Sequence, residues 1–144
     1  MYQLNVIQIS QVLDKVDKPS FNIFELDALL GKQTLFYLSK SIFNRYELEH
    51  FYIKDKWMNF ILKISDGYDR KVKYHNDVHA ADVYQTGFFI LYTGKLKEKL
   101  KLKDVDIFAV LLSAICHDYK HQGLDDIYHI NARTDIAIRY NSNI

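Results

Sequence analysis

The chain has 144 residues, with 19 lysines and arginines against 18 aspartates and glutamates, which gives a formal net charge of +1. This length is sufficient for one domain with a sizeable core, and the balanced charge argues against nucleic acid as a partner, because binding to phosphate backbones requires excess basic charge. The single cysteine, the lack of an opening signal pattern and a longest apolar run confined to residues 107–116 predict a soluble, cytoplasmic protein without a membrane span.

Residues 1–20 are predicted to be a lead-in segment to a domain covering residues 21–144, with one short helix over residues 9–16. A calmodulin-target segment would need a basic amphipathic helix, whereas the charges here alternate in sign. No calmodulin site is therefore expected in this chain. The charged residues of the segment are Asp14, Lys15, Asp17 and Lys18.

Three helices are predicted between residues 22 and 67. Asn22, Thr34 and Asp55 are residue types that begin helices, and apolar positions with helical spacing follow each of them. Gly31 and Gly67 are placed to end the first and the third of these helices.

A fourth helix is predicted to begin near Asn76 or Asp77 and to run to Tyr92. Its buried side is expected to contain Val78, Val83, Phe88, Leu91 and Tyr92. The lysine-rich residues 95–103 that follow are predicted to be a solvated connector.

A fifth helix is predicted from Asp104, with residues 107–116 apolar almost all round, as expected of a buried central helix. Thr134 is expected to begin a further helix that continues past Ile138. Since no segment alternates apolar and polar residues over strand length, the predicted class is all-α.

Two histidine pairs carry the strongest chemical signal. His75 and His79 are four residues apart, as are His117 and His121, and Asp118 directly follows His117. Residues four apart lie on one side of a helix, so the imidazoles of each pair can point to the same place. Either motif alone is weak, but their occurrence around a buried helix predicts a shared site.

Nitrogen and oxygen ligands without sulfur suit zinc, magnesium, manganese or iron. His79 and His117 are the expected imidazole ligands, and the two oxygens of Asp118 can bridge a pair of cations. Two metal ions about 3.5–4 Å apart can clamp a phosphoryl group for in-line attack. The motifs therefore predict a hydrolytic site with one or two metal ions.

The remaining polar groups receive supporting roles. His121 and Asp82 are expected to orient the ligands or the water bound to the metal. His75 then stays free of metal, and a histidine that titrates near neutral pH could protonate the oxygen that leaves phosphorus. His50 and His129 are interpreted as surface or core residues and are left out of the site.

The motif residues 74–83 and 117–123 together resemble the signature of the class I cyclic nucleotide phosphodiesterases. The resemblance extends from residues 21–26, through residues 44–48, to residues 137–141. Within the family, residues 117–119, 129–130 and 133–138 are most similar to the calcium/calmodulin-stimulated branch.

The resemblance implies a compact, multi-helix domain of the HD type that hydrolyses cAMP, cGMP or both to the 5′-monophosphate. It implies two divalent ions, zinc and magnesium or manganese, with attack by a hydroxide that bridges them. The family's roles fall on the general acid His75, the metal ligands His79, His117 and the bridging Asp118, His121 beside the metal-bound water, and Tyr74 near the substrate pocket.

Three positions depart from the family pattern: Asp126 replaces an asparagine, Lys73 a proline, and Ser142 an aspartate. The family's catalytic domain also continues beyond the position of Ile144, so the resemblance implies that this chain is its N-terminal part, apparently truncated. Two alternatives stay open at this point. One is an inactive half-domain that docks partners in a larger assembly, and the other is a different HD-type phosphohydrolase.

Overall fold

Capping residues and apolar spacing divide the chain into helices in the computed structural model, which describes residues 2–140, with side chains from residue 5 onward. Two 3₁₀ turns, Gly31–Gln33 and Leu48–Phe51, flank the third helix. No strand occurs in these described residues, which confirms the all-α prediction. The helices are α1 (Tyr2–Leu13), α2 (Ile23–Leu30), α3 (Thr34–Arg45), α4 (Lys54–Gly67), α5 (Asp77–Thr93), α6 (Leu96–Lys99), α7 (Asp104–Cys116), α8 (Asp126–Asn131) and α9 (Asp135–Arg139).

The predicted caps of α2 and α5 are confirmed. The side-chain oxygen of Asn22 accepts from the backbone N–H of Phe24, and that of Asn76 accepts from the N–H of Val78, both at 3.0 Å. Gly31 ends α2 with a φ of 55°, a left-handed value that glycine adopts without strain. Local sequence therefore fixes where the site-bearing helix α5 begins.

The core forms around α5, which packs most extensively against α7 and α3. Phe43 of α3, Tyr84 and Phe88 of α5 and Leu111 of α7 are fully buried there. The rings of Phe43 and Trp57 have centroids 4.7 Å apart, which brings α4 onto the same cluster. This packing fixes the start of α5 beside the end of α7.

The N-terminal segment differs from its prediction. The helix over residues 9–16 is instead α1, which begins at Tyr2 and ends at Leu13. Val12 and Val16 are buried in the core, and the Gln85 side-chain amide donates a 2.7 Å hydrogen bond to the carbonyl of Val16. The segment thus packs on the helices that follow it, while a domain boundary at residue 20 stays a prediction.

The prediction that α7 is buried on all sides is wrong. Ile107, Leu111 and Ile115 are fully buried, but Val105 and Val110 on the other side are about half exposed. Because α5 and its neighbours cover one face only, the apolar character of the opposite face does not lead to burial within the described residues.

Several smaller expectations also differ. Tyr92 is exposed although a buried position was expected, whereas the neighbouring Leu91 is buried as expected. Thr34 and Asp104 are the first residues of their helices, after Gln33 and Lys103 at the cap positions. The lysine-rich connector contains the short helix α6.

The helix expected from Thr134 is confirmed: Thr134 precedes α9, which passes Ile138 and ends at Arg139. Asn141, Ser142 and Ile144, to which the resemblance to a known family referred, lie outside the described residues. Within residues 2–140, none of the helices has the length and apolar content needed to cross a membrane.

Candidate active site

The three predicted metal ligands converge where the start of α5 meets the end of α7. His79, His117 and Asp118 each offer one ligand atom, and these atoms all lie within 4.8 Å of one another. Oδ2 of Asp118 is 3.1 Å from Nε2 of His117 and 3.4 Å from Nε2 of His79. The packing of two helices thus brings together ligands that are 38 residues apart in the sequence.

The hydrogen bonding of His117 tests whether these atoms suit a cation. Its Nδ1 lies 2.9 Å from the carbonyl oxygen of Ala114, so this nitrogen carries the proton and donates it. In the neutral ring, Nε2 then presents its lone pair to the carboxylate of Asp118. Two electron-pair donors facing each other are satisfied by a proton or a metal ion between them, and bonding of the opposite ring nitrogen to a carbonyl is typical of metal-bound histidines. The group therefore fits a divalent metal ion.

The surroundings of His79 also favour the form that binds metal. Burial lowers the pKa of His79 and outweighs the opposite effect of the Asp118 charge, while the nearby His117 and His75 lower it further. A lowered pKa keeps the imidazole neutral, which metal coordination requires. The ring of Tyr74 lies over His79 with centroids 4.4 Å apart and is itself largely exposed.

The predicted proton donor His75 lies on the loop before α5. Its ring stacks on His121, with centroids 3.9 Å apart and planes inclined by 19°, and its centroid is 5.9 Å from that of His79. Nδ1 of His121 accepts a 2.9 Å hydrogen bond from the N–H of Gly123. Gly123 has a φ of 77°, and a side chain there would also press against Val72. The loops before α5 and after α7 therefore meet at the two stacked imidazoles.

Asp82 is not among the three converging residues. It is exposed on α5, and its charge acts on His79 as the weakest of the effects on the pKa of that residue. Among the described residues it forms no hydrogen bond to a ligand side chain. Its orienting role stays a prediction, as does that of His121.

An open cavity of about 640 Å³ lies beside the group. The cavity is also lined by three acidic or imidazole side chains that were not predicted to belong to the site, namely Asp125, Asp126 and His129. Nδ1 of His129 is 3.0 Å from the hydroxyl of Thr134, which ties α8 to the start of α9. The signal available in the sequence was the departure at Asp126, which is one turn before His129. The other omitted histidine, His50, bonds the carbonyl of Glu47 and does not line this cavity.

Comparison with known proteins gives a family match over the part of the chain that carries this geometry. Residues 74–144 match the family model described as 3′,5′-cyclic nucleotide phosphodiesterase. The matched range contains every residue of the candidate site.

Individual relatives extend the similarity over most of the chain. It is 38% identical, over 84% of its length, to 3′,5′-cyclic-AMP phosphodiesterase 4 of Dictyostelium discoideum, of which it covers 12%. It is 38% identical, over 92% of its length, to the human dual specificity calcium/calmodulin-dependent 3′,5′-cyclic nucleotide phosphodiesterase 1C, of which it covers 19%. The chain is 34% identical, over 92% of its length, to the dual specificity calcium/calmodulin-dependent 3′,5′-cyclic nucleotide phosphodiesterase 1 of Drosophila melanogaster, and it covers 16% of that protein.

The chain thus spans less than a fifth of the length of these relatives. Similarity to the calcium/calmodulin-dependent enzymes is confirmed, but a cyclic-AMP phosphodiesterase is equally similar, so the prediction that this branch is the most similar is not confirmed. Residues 74–144, which carry the candidate site, thus match the 3′,5′-cyclic nucleotide phosphodiesterase family, and most of the chain is similar to its members.

Proposed function

We propose that this protein hydrolyses the 3′,5′-cyclic phosphodiester of cAMP, cGMP or both to the 5′-monophosphate. The observation that carries the proposal is the convergence of His79, His117 and Asp118 beside a cavity large enough for a nucleotide. The match of residues 74–144 to the 3′,5′-cyclic nucleotide phosphodiesterase family supports the choice of substrate.

The three converging residues would hold a divalent cation. Two imidazole nitrogens and one carboxylate are ligands that zinc accepts readily, and the second oxygen of Asp118 can serve a harder ion such as magnesium or manganese. When bound, such ions supply Lewis-acid stabilisation of the negative charge that develops on the phosphoryl oxygens. Asp118 is proposed as the residue shared between the two ions.

His75 is proposed as the proton donor to the 3′ oxygen. A sugar alkoxide is a poor leaving group, so a positioned acid at this atom lowers the barrier, typically by a factor of about 10²–10⁴ in rate. The stacking of His75 on His121 orients its ring, and Tyr74 is proposed to contact the substrate from its exposed position beside His79. Asp82 and His121 are proposed to keep the site's polar groups in orientation.

The proposed ligand also agrees with the charge of the chain. A net charge of +1 supports a small anionic nucleotide rather than nucleic acid as the molecule bound. A cytoplasmic location is proposed from the single cysteine, Cys116, which is half-buried and has a pKa raised by burial.

The proposal is tested by incubating the metal-stripped protein with cAMP or cGMP while zinc, magnesium and manganese are added, and by separating the products chromatographically. We expect 5′-monophosphate to form with metal, and not with the D118N variant. The D66N variant changes an exposed aspartate of α4 and serves as the matched control. Absence of hydrolysis of both nucleotides with every metal would overturn the proposal, and metal binding without hydrolysis would favour the docking alternative.

A further inference from the structure

An ion pair between the partly exposed Arg70 and a buried carboxylate closes the loop that carries His75. The carboxylate of Asp77, the first residue of α5, is only 1% exposed. Arg70 forms two hydrogen bonds to this carboxylate: Nε donates to Oδ1 at 2.8 Å and Nη2 donates to Oδ2 at 2.7 Å. A two-point guanidinium–carboxylate contact fixes direction as well as distance, which a single contact does not.

The pair is anchored to elements outside the loop. Nη2 of Arg70 also donates to Oδ1 of Asp27 in α2, at 2.6 Å. Nζ of Lys32 lies 3.6 Å from Oδ1 of Asp77 and donates to the carbonyl of Tyr68, just before the loop. The positive charges of Arg70 and Lys32 thus both lie beside the carboxylate of Asp77. They compensate its buried negative charge. The guanidinium therefore connects α2 to both ends of the loop.

This anchoring restricts the segment between the two partners. Arg70 and Asp77 are seven residues apart, and the amide of Asn76 donates a 3.0 Å hydrogen bond back to the carbonyl of Val72 inside the closed loop. Closure of the loop and its internal hydrogen bond both reduce the number of conformations that residues 70–77 can adopt. His75 lies within it, and its imidazole meets that of His121 from the opposite loop.

We propose that Arg70 and Asp77 are a positioning pair, which holds residues 70–77 so that the imidazole of His75 stays stacked on His121 beside the metal ligands. This inference rests on the proposed function, in which His75 donates the proton. His79, in contrast, is held by the Asn76 cap and by the packing of α5 on α7. Loss of the pair should therefore affect His75 far more than the metal site.

The first test follows the position of His75 directly. The Hε1 proton NMR resonance of His75 is recorded in the wild type and in R70Q, D77N and H121A. We expect R70Q and D77N to shift this resonance in the direction produced by H121A, which removes the stacked ring. Zinc affinity should change by less than the roughly 10-fold that loss of an outer partner of a ligand costs. A His75 resonance that stays at its wild-type position in both variants would overturn the inference.

A matched control separates positioning from general loss of stability. R45Q removes the ion pair between Arg45 and Asp17, whose atoms are 3.4 Å apart and which joins α3 to the segment after α1. Urea unfolding of each variant establishes that it is folded, and R45Q should leave the His75 resonance unchanged. If R70Q does not fold, R70K replaces it, since lysine keeps the charge and loses the two-point contact. An equal shift of the resonance in R45Q would contradict the inference.

The second test uses the leaving group. A p-nitrophenyl phosphodiester releases an anion that needs no protonation, whereas a cyclic nucleotide releases an alkoxide. We expect R70Q to slow hydrolysis of the cyclic nucleotide about 10- to 100-fold and the p-nitrophenyl ester by no more than about 3-fold. Equal slowing of both substrates would contradict a positioning role. A wild-type protein inactive on both would overturn the proposed function, while the NMR result would still decide the inference.

Discussion

The hydroxyl of Tyr68 donates a 2.8 Å hydrogen bond to the carbonyl oxygen of Ile115, and both groups are buried. Tyr68 directly follows α4, and Ile115 is in the last turn of α7, two residues before His117. The bond satisfies a carbonyl that has no partner within its own helix end. It therefore stabilises the end of α7, which His117 and Asp118 directly follow.

Replacement of Tyr68 by phenylalanine leaves that carbonyl buried and unpaired. We expect Y68F to reduce the free energy of unfolding by about 1–3 kcal/mol, as measured by urea denaturation. Y37F, which changes a partly exposed tyrosine of α3, is the control and should change stability by less than about 0.5 kcal/mol. Equal stability of Y68F and the wild type would show that the bond does not hold the helix end.

The two glycines Gly67 and Gly87 should respond to alanine in opposite directions. A Cβ at Gly67 would lie 2.0 Å from a ring carbon of Tyr119, next to the metal ligand Asp118, so G67A must displace that ring. We expect a loss of about 1–3 kcal/mol in unfolding free energy. Gly87 is inside α5 with no atom within 4 Å of its Cβ position, so G87A should gain about 0.5–1 kcal/mol.

Thermal and urea unfolding of both variants measure this difference. No loss of stability in G67A would mean that the contact between Gly67 and the Tyr119 ring is not as described, and a loss in G87A would mean that the space around Gly87 is not.

Alkaline pH should destabilise the fold in part through Tyr46. Its hydroxyl is buried and has no hydrogen-bond partner among the residues that the structure describes. Burial, followed by the charges of Glu98 and Tyr92, raises its pKa to about 12. The neutral phenol is thus favoured in the folded state. The corresponding stability is fully present below the ordinary tyrosine pKa near 10 and is lost as the pH rises towards 12.

Unfolding free energies of the wild type and Y46F, measured by urea between pH 9 and pH 11.5, check this effect. We expect the stability of Y46F to fall less steeply above pH 10 than that of the wild type, because one of the tyrosines that resist ionisation is gone. Parallel decreases in the two proteins would assign the pH dependence to other tyrosines, such as the fully buried Tyr84, whose pKa burial also raises.

The sequence predicted the parts of this molecule that depend on local chemistry. Asn22 and Asn76 begin helices because their side chains can reach a backbone N–H two residues on, which requires no knowledge of the rest of the fold. The spacing of His75, His79, His117 and His121 predicted one site on the premise that residues four apart share a side of a helix. That premise is wrong for both pairs, because His75 precedes α5 and His117 and His121 follow α7. The convergence of His79, His117 and Asp118 agrees with that prediction.

Features that depend on contacts between distant residues could not be read in the same way. The exposed face of α7 is as apolar as its buried face, so periodicity did not distinguish Val110 from Leu111. The sequence around Asp77 does not indicate that its carboxylate is buried, or that Arg70 and Lys32 compensate its charge. Nor did the lead-in pattern show that Val16 would be buried in the core.

The metal site is the claim on which the proposed chemistry depends, and a zinc titration followed by calorimetry tests it most directly. The wild type should bind zinc, and saturation at 100 times the dissociation constant should add about 2.7 kcal/mol to its unfolding free energy. H79A, H117A and D118A should each weaken binding more than the roughly 100-fold that loss of an outer partner can cost, while H50A should bind as the wild type does. Wild-type zinc affinity in all three ligand variants would contradict the account.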